Sequence, residues 1–186
     1  GCFAAYRTAW LKAVDGWPTR TVGEDMDLTW MVYMAGQKVR FVPEALCYPI
    51  EPTNFHFMQK QLTRWSHGFA QVVKLHWRGV LEIPYLRMIV AVALWDATFA
   101  TLAYFIALPL LAINVSPLFL LASLLDLPAI IVPVVAQAWP RGEVKQALAS
   151  IPAFYVLRFV NFYFVLKAFF CEFVINRRLK TFEKGH

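Results

Sequence analysis

Three long apolar segments fill the second half of this 186-residue chain, and they limit its fold more than any other feature. Residues 88–113 carry Asp96 as their only charge, and residues 117–139 carry only Asp126. Both exceed the roughly 20 residues that an α-helix needs to span a bilayer. Asn114-Val115-Ser116-Pro117 joins them so tightly that they read as a hairpin. Residues 151–175 differ in holding Arg158, Lys167 and Glu172. On a helix Arg158, Asn161 and Glu172 share one side, so this segment either crosses facing a polar channel or is re-entrant or interfacial. With residues 1–83 in the cytosol, a hairpin returns Arg141 and Lys145 to the cytosol, in keeping with the positive-inside rule. A third full crossing then carries Arg177, Arg178, Lys180 and Lys184 outward against that rule, so the expectation leans to a C-terminus that stays inside.

With 59% hydrophobic residues, concentrated after residue 83, the chain is not an ordinary soluble domain. It divides at that point into a water-facing part, 1–83, and a membrane region, 84–186. The net charge of +6 does not point to nucleic acid, because the basic residues form no single patch. Lys60, Arg64, Lys74, Arg78 and Arg87 flank the first apolar segment, and Arg177, Arg178, Lys180 and Lys184 follow the last, as headgroup anchors do. Cys2, Cys47 and Cys171 are scattered without a CxxC, implying neither a zinc site nor a disulfide framework. No initiating Met opens the sequence, which starts inside what reads as a strand, so it is expected to be an N-terminally truncated piece of a longer protein.

Taken in order, Gly1 to Tyr6 reads as a short strand, and Thr8 to Val14 as a helix with Thr8 as N-cap, stopped by Asp15-Gly16-Trp17-Pro18. A helix from about Asp25 to Ala35 follows, with Gly36 as its C′ residue. Lys38 to Val42 and Ala45 to Ile50 are β-like, and Glu51-Pro52-Thr53-Asn54 turns into a long helix ending near Trp77. Two or three strands cannot bury themselves, so upstream strands are expected to complete the sheet. His56, His67 and His76 share no helix face at i, i+4 and read as interfacial or surface histidines, not metal ligands.

Two clusters of chemistry stand out in the water-facing part. On the long helix, Gln61, Arg64, Trp65 and Gly68 are spaced i, i+3, i+4, i+7 and fall on one seam beside the apolar stripe of Phe55, Met58, Leu62, Phe69, Val72 and Val73. Lys60, Thr63, His67, Gln71 and Lys74 lie on the far side. Such a seam suits a ligand both anionic and ring-shaped, since Arg offers a forked donor and Trp a flat apolar platform. The plainer alternative is an amphipathic helix with a snorkelling Arg and a core Trp. Asp25 stands 36 residues upstream of Gln61, within Gly23-Glu24-Asp25, and Asp27 adds a third carboxylate to the same helical turn. Compensation of the helix dipole accounts for Asp27 on its own.

GED, then QLTRW, then membrane segments resembles the membrane-embedded processive family 2 glycosyltransferases, the cellulose, hyaluronan and poly-N-acetylglucosamine synthases, whose pattern is TED, QxxRW and membrane helices. The resemblance covers nearly the whole chain. It implies an α/β fold, the C-terminal part of a nucleotide-diphospho-sugar transferase domain of GT-A type, followed by an α-helical membrane region. It also implies Asp25 as catalytic base, and Glu24, Gln61, Arg64 and Trp65 as substrate-binding groups, with Gly1 and Cys2 near the acceptor sugar. A divalent metal, Mg or Mn, is expected on a DxD motif upstream of Gly1, with none bound by this fragment. The implied partners are a nucleotide-sugar donor, a polysaccharide or glycolipid acceptor and the lipid bilayer, with room for an accessory membrane subunit and no nucleic acid. The implied location is the bacterial plasma membrane, with the catalytic part cytosolic. Gly23 departs from the family's Thr, which removes a hydroxyl but keeps both carboxylates. Alternatives are a non-processive glycolipid-forming transferase and a non-catalytic membrane or transport protein using Asp96, Asp126 and Arg158 as an ion path.

Overall fold

The computed structural model describes residues 4–42, 44–50 and 52–181. Among them every regular element is helical. The chain forms α1 (Thr8–Ala13), α2 (Glu24–Met34), α3 (Phe55–Leu75) and α4 (Trp77–Glu82) before the apolar helices begin. Three long apolar helices follow, Pro84–Asn114, Pro117–Arg141 and Val144–Val174, each long and apolar enough to cross a membrane. The first begins as α5 (Pro84–Leu94), passes through π-helical turns at Trp95–Ala100 and Ala103–Ala107, and ends as α6 (Leu108–Asn114). The second is a 3₁₀ stretch, Pro117–Leu124, followed by α7 (Leu127–Ala138) with Pro133 inside it and a short 3₁₀ turn, Trp139–Arg141. The third is α8 (Val144–Phe169), closed by π-helical Phe170–Val174.

The expected α/β architecture is not what the chain adopts: the described residues contain no strand and no sheet. Lys38–Val42 and Ala45–Ile50 do alternate in the manner of strands. A ladder needs repeated N–H to C=O bonds between two segments, however, and among the described residues the one backbone bond between these two is a turn bond from Ala45 N–H to the Val42 carbonyl. They remain coil, with Phe41, Tyr48 and Ile50 exposed. Residues 4–7 are likewise coil, and Gly1–Phe3 lie outside the described residues.

The helices follow their local signals more closely. α3 starts at Asn54, whose Oδ1 accepts from the Phe57 N–H at 3.0 Å, satisfying one of the free donors of the first turn. α2 ends at Ala35 with Gly36 beyond it at φ 68°, a left-handed stop that favours glycine. The N-cap of α1 is Arg7, with Thr8 as the first helical residue, and no side chain caps it.

The chain forms two compact units, residues 1–91 with 164–186, and residues 92–163. In the first, Leu28, Trp30 and Val32 of α2, Ala70 and Val72 of α3, and Phe164 and Ala168 of α8 are buried. In the second, the buried apolar residues are the alanines Ala97, Ala100 and Ala138, while Leu118, Leu121, Leu125 and Val132 point outward. Outward apolar side chains and small buried ones suit helices surrounded by lipid, where close backbone approach replaces the hydrophobic drive to associate.

Candidate functional site

The acidic turn and α3 meet through two glycines. A Cβ placed on Gly23 would lie 3.1 Å from Gly68 Cα, and one on Gly68 would lie 3.0 Å from both Cα and N of Gly23. Those contacts are backbone, so neither position has room for a larger residue without the chain shifting. The missing side chain of Gly23 lets α3 press directly on the acidic turn. Gly68 lies on the same seam as Gln61, Arg64 and Trp65, so the contact attaches that seam to Glu24 and Asp25.

Asp25 sits half-buried in the first turn of α2, its Oδ1 accepting from the Met26 N–H at 2.8 Å. Its carbonyl accepts from Thr29 Oγ1 at 2.8 Å, and Thr29 Oγ1 also lies 2.8 Å from Tyr6 Oη. The backbone that carries Asp25 is therefore held from two sides. Glu24 is also half-buried. On α3, Gln61 and Arg64 are half-buried and Trp65 is 51% exposed, so the indole is an open surface and not a core residue. Gly1 and Cys2 lie outside the described residues.

Asp27 does more than offset a helix dipole. Its side chain is fully buried, and Arg20 grips it with both ends of the guanidinium, Nε to Oδ2 and an Nη to Oδ1, each at 2.9 Å. His76 Nε2–H donates to Oδ1 at 2.6 Å. Burial works against the charge, and the donors from His76 and Arg20 more than compensate, so the carboxyl stays below the usual carboxylate range. Because His76 directly follows α3, this pair ties the end of α3 to the first turn of α2.

His67 and His76, expected to be interfacial or surface residues, are both buried against carboxylates. His67 Nδ1–H donates to Glu172 Oε1 at 2.8 Å, and Gln71 Nε2 donates to the same oxygen at 2.7 Å. Gln71, read as part of the far polar side, is 3% exposed. One signal could have found it: continuing the seam three residues past Gly68 reaches Gln71. Arg158 and Glu172, expected to share a polar side, have separate partners, Arg158 with Asp96 and Asp126, and Glu172 with His67 and Gln71.

Asp25-Met26-Asp27 has DxD spacing, but it does not form a metal pair. Two residues apart on a helix the carboxylates diverge, and that of Asp27 is already enclosed by Arg20 and His76. Among the described residues no group of three or more His, Cys, Asp or Glu side chains could hold a metal ion.

A family profile described as glycosyl transferase family group 2 matches residues 1–138, well over half of the sequence, and the chain belongs to that family. Among curated relatives, a poly-beta-1,6-N-acetyl-D-glucosamine synthase of Staphylococcus epidermidis is 29% identical over 73 residues, 39% of this chain and 18% of that protein. A probable glycosyltransferase, YdaM, of Bacillus subtilis is 35% identical over 69 residues, 37% of this chain and 16% of that protein. A Staphylococcus aureus poly-beta-1,6-N-acetyl-D-glucosamine synthase is 26% identical over 73 residues, again 39% of this chain and 18% of the relative. The matched stretch is thus less than a fifth of the length of these relatives. No solved structure matches.

Proposed function

We propose that this chain is part of a membrane-bound inverting glycosyltransferase that moves a sugar from a nucleotide diphosphate donor, UDP-N-acetylglucosamine or UDP-glucose, onto a growing β-linked polysaccharide. The observation that supports this most is the glycine contact, which sets the acidic turn against the helix bearing Gln61, Arg64 and Trp65. In this reading Asp25 accepts the proton of the acceptor hydroxyl as its oxygen attacks the anomeric carbon. The bond from that carbon to the diphosphate breaks, and the negative charge passes to the leaving group. Arg64 offers forked donors to the diphosphate with help from Gln61, Glu24 lies beside the base, and the open face of Trp65 receives an acceptor sugar ring. The divalent metal expected for the diphosphate has no group of three or more His, Cys, Asp or Glu side chains to hold it among the described residues. The catalytic part faces the cytosol of a bacterium and the apolar helices lie in its plasma membrane.

The test uses the whole protein that contains this sequence, reconstituted in lipid with radiolabelled UDP-N-acetylglucosamine or UDP-glucose. Label is expected in a long polymer from one donor and not the other, and a product of one or two sugars on lipid would move the reading to a glycolipid-forming enzyme. Asp25→Asn should lower turnover by about 10² to 10⁴, because an amide keeps the shape but cannot take the proton. Its donor affinity should stay within about threefold of the parent, since the change removes chemistry and not binding. Near-parental turnover in Asp25→Asn would falsify the assignment of the base.

A further inference from the structure

Glu172 closes the third apolar helix from within the π-helical turn Phe170–Val174, and it is 1% exposed. A carboxylate so deeply placed needs donors, and its Oε1 has three: His67 Nδ1 at 2.8 Å, Gln71 Nε2 at 2.7 Å and the Leu179 N–H at 3.2 Å. The Glu172 carbonyl accepts from Lys74 Nζ, which also donates to Asn176 Oδ1 at 2.6 Å. Gln71 uses its amide at both ends. Nε2 donates to Glu172 and, at 2.9 Å, to the Leu179 carbonyl, while Oε1 accepts from the Val22 N–H at 3.0 Å. Val22 is 6% exposed and directly precedes Gly23-Glu24-Asp25.

A continuous hydrogen-bonded path therefore runs from the end of an apolar helix, through one side chain of α3, to the backbone that leads into the acidic turn. Because a primary amide has one acceptor end and one donor end, Glu172 as acceptor fixes which way Gln71 faces. With Nε2 turned to Glu172, Oε1 is presented to Val22. Were the amide reversed, both contacts would set like ends against each other.

We propose that Gln71 and Glu172 are positioning residues that set the acidic turn from the end of the third apolar helix. They touch no reacting atom and act through the Val22–Gly23 backbone, and this rests on the reading of Asp25 as base. Glu172 orients Gln71, Gln71 holds the Val22 N–H, and the Gly23–Gly68 contact carries that register to Glu24 and Asp25. A change at Glu172 is thereby felt at Asp25 without contact between the two.

The test uses Gln71→Met, Glu172→Met and the double variant in the whole protein, assayed for sugar transfer beside Asp25→Asn. Gln71→Met removes the acceptor of the Val22 N–H, and Glu172→Met removes the oxygen that orients the Gln71 amide. Each single variant should lose about tenfold in kcat with donor KM within about threefold, and the double variant should lose no more than about threefold beyond the worse single, because both changes cut one path. Amide exchange of the peptide spanning Val22 to Asp25, read by mass spectrometry, should quicken about tenfold in Glu172→Met, although that residue does not touch the peptide. Unchanged exchange there overturns the link even if activity falls. So do single losses that multiply in the double variant, or a joint change of kcat, KM and melting temperature in both singles, which marks a structural part only. If Asp25→Asn stays active, the base and the positioning role fall together. If Asp25→Asn is inactive while both singles match the parent, only the positioning role falls.

Discussion

Each compact unit holds a buried cluster of charged side chains, and the two are built in opposite senses. In the unit with α2 and α3 the anion is at the centre: Asp27 and Glu172 are 0% and 1% exposed, and the groups around them are donors. In the unit of residues 92–163 the cation is at the centre. Arg158 donates to Asp96 at 2.7 Å and to Asp126 at 2.8 Å, with the rings of Phe154, Tyr104 and Tyr155 4.9 to 5.8 Å from its guanidinium carbon. Its partners are not sealed, since the Asp96 and Asp126 side chains are 42% and 27% exposed, and Arg158 Nε has no hydrogen-bond partner.

An enclosed anion with every donor committed has one arrangement, so it fixes backbone against backbone. A cation among aromatic rings with half-open carboxylates is mainly a way to keep a guanidinium inside apolar helices, where an unpaired one is costly. Register is thus set chiefly in the first cluster, and charge tolerance chiefly in the second.

The sharpest break in this comparison is activity. Against the loss set out for Asp25→Asn, Asp96→Asn should keep transfer within about threefold, because Asp126 still pairs with Arg158. If instead Asp96→Asn and Asp126→Asn abolish function while Asp25→Asn is silent, the second cluster is an ion path and the chain is no transferase. Next in size is Arg158→Met, which leaves two carboxylates without a counter-charge. The cost should be about 3 kcal/mol, the low end for a broken buried pair because both acids keep some exposure, read as a lowered melting temperature in detergent.

Asp27→Asn should cost about 2 kcal/mol, as the amide keeps only one of the two oxygens that Arg20 and His76 hold and turns a donor toward one of them. The sign with pH follows from the lowered carboxyl pKa: this contribution is present above the ordinary Asp value of about 4 and is lost as pH falls through and below it. Stability of the parent should therefore drop more steeply than that of Asp27→Asn below about pH 4, with parallel curves above pH 5 setting the variant's simple offset. Smallest is Gly68→Ala. The new methyl meets Gly23 backbone at 3.0 Å, but the better helix propensity of Ala offsets part of the strain, leaving about 1 kcal/mol of net loss.

The seam, the stop of α2 and the apolar lengths were legible because each is local: Gly36 ends its own helix, and Gly68 falls on one face with Arg64 by periodicity alone. Burial of His67, His76 and Gln71 was not, because Glu172 lies 105 and 101 positions from His67 and Gln71, and Asp27 lies 49 from His76. A polar residue on a helix reads as solvated until its partner is known. The β-like segments misled for the converse reason. Alternation in Val39, Phe41, Leu46, Tyr48 and Ile50 is a property of one segment, but a strand is a property of two. A glycine pair is equally silent, since only the fold brings Gly23 to Gly68.

The bonds from Gln71 to the Leu179 carbonyl and from an Arg178 Nη to the Arg20 carbonyl also have a consequence for counting. They hold the stretch beyond the third apolar helix beside the segments that precede the first. A path that leaves one face of a sheet of lipid and ends on that same face pierces it an even number of times. Three helices each piercing once make an odd number, so labelling both faces of the bilayer for the stretch after Val174 shows whether one of the three doubles back or lies along the surface.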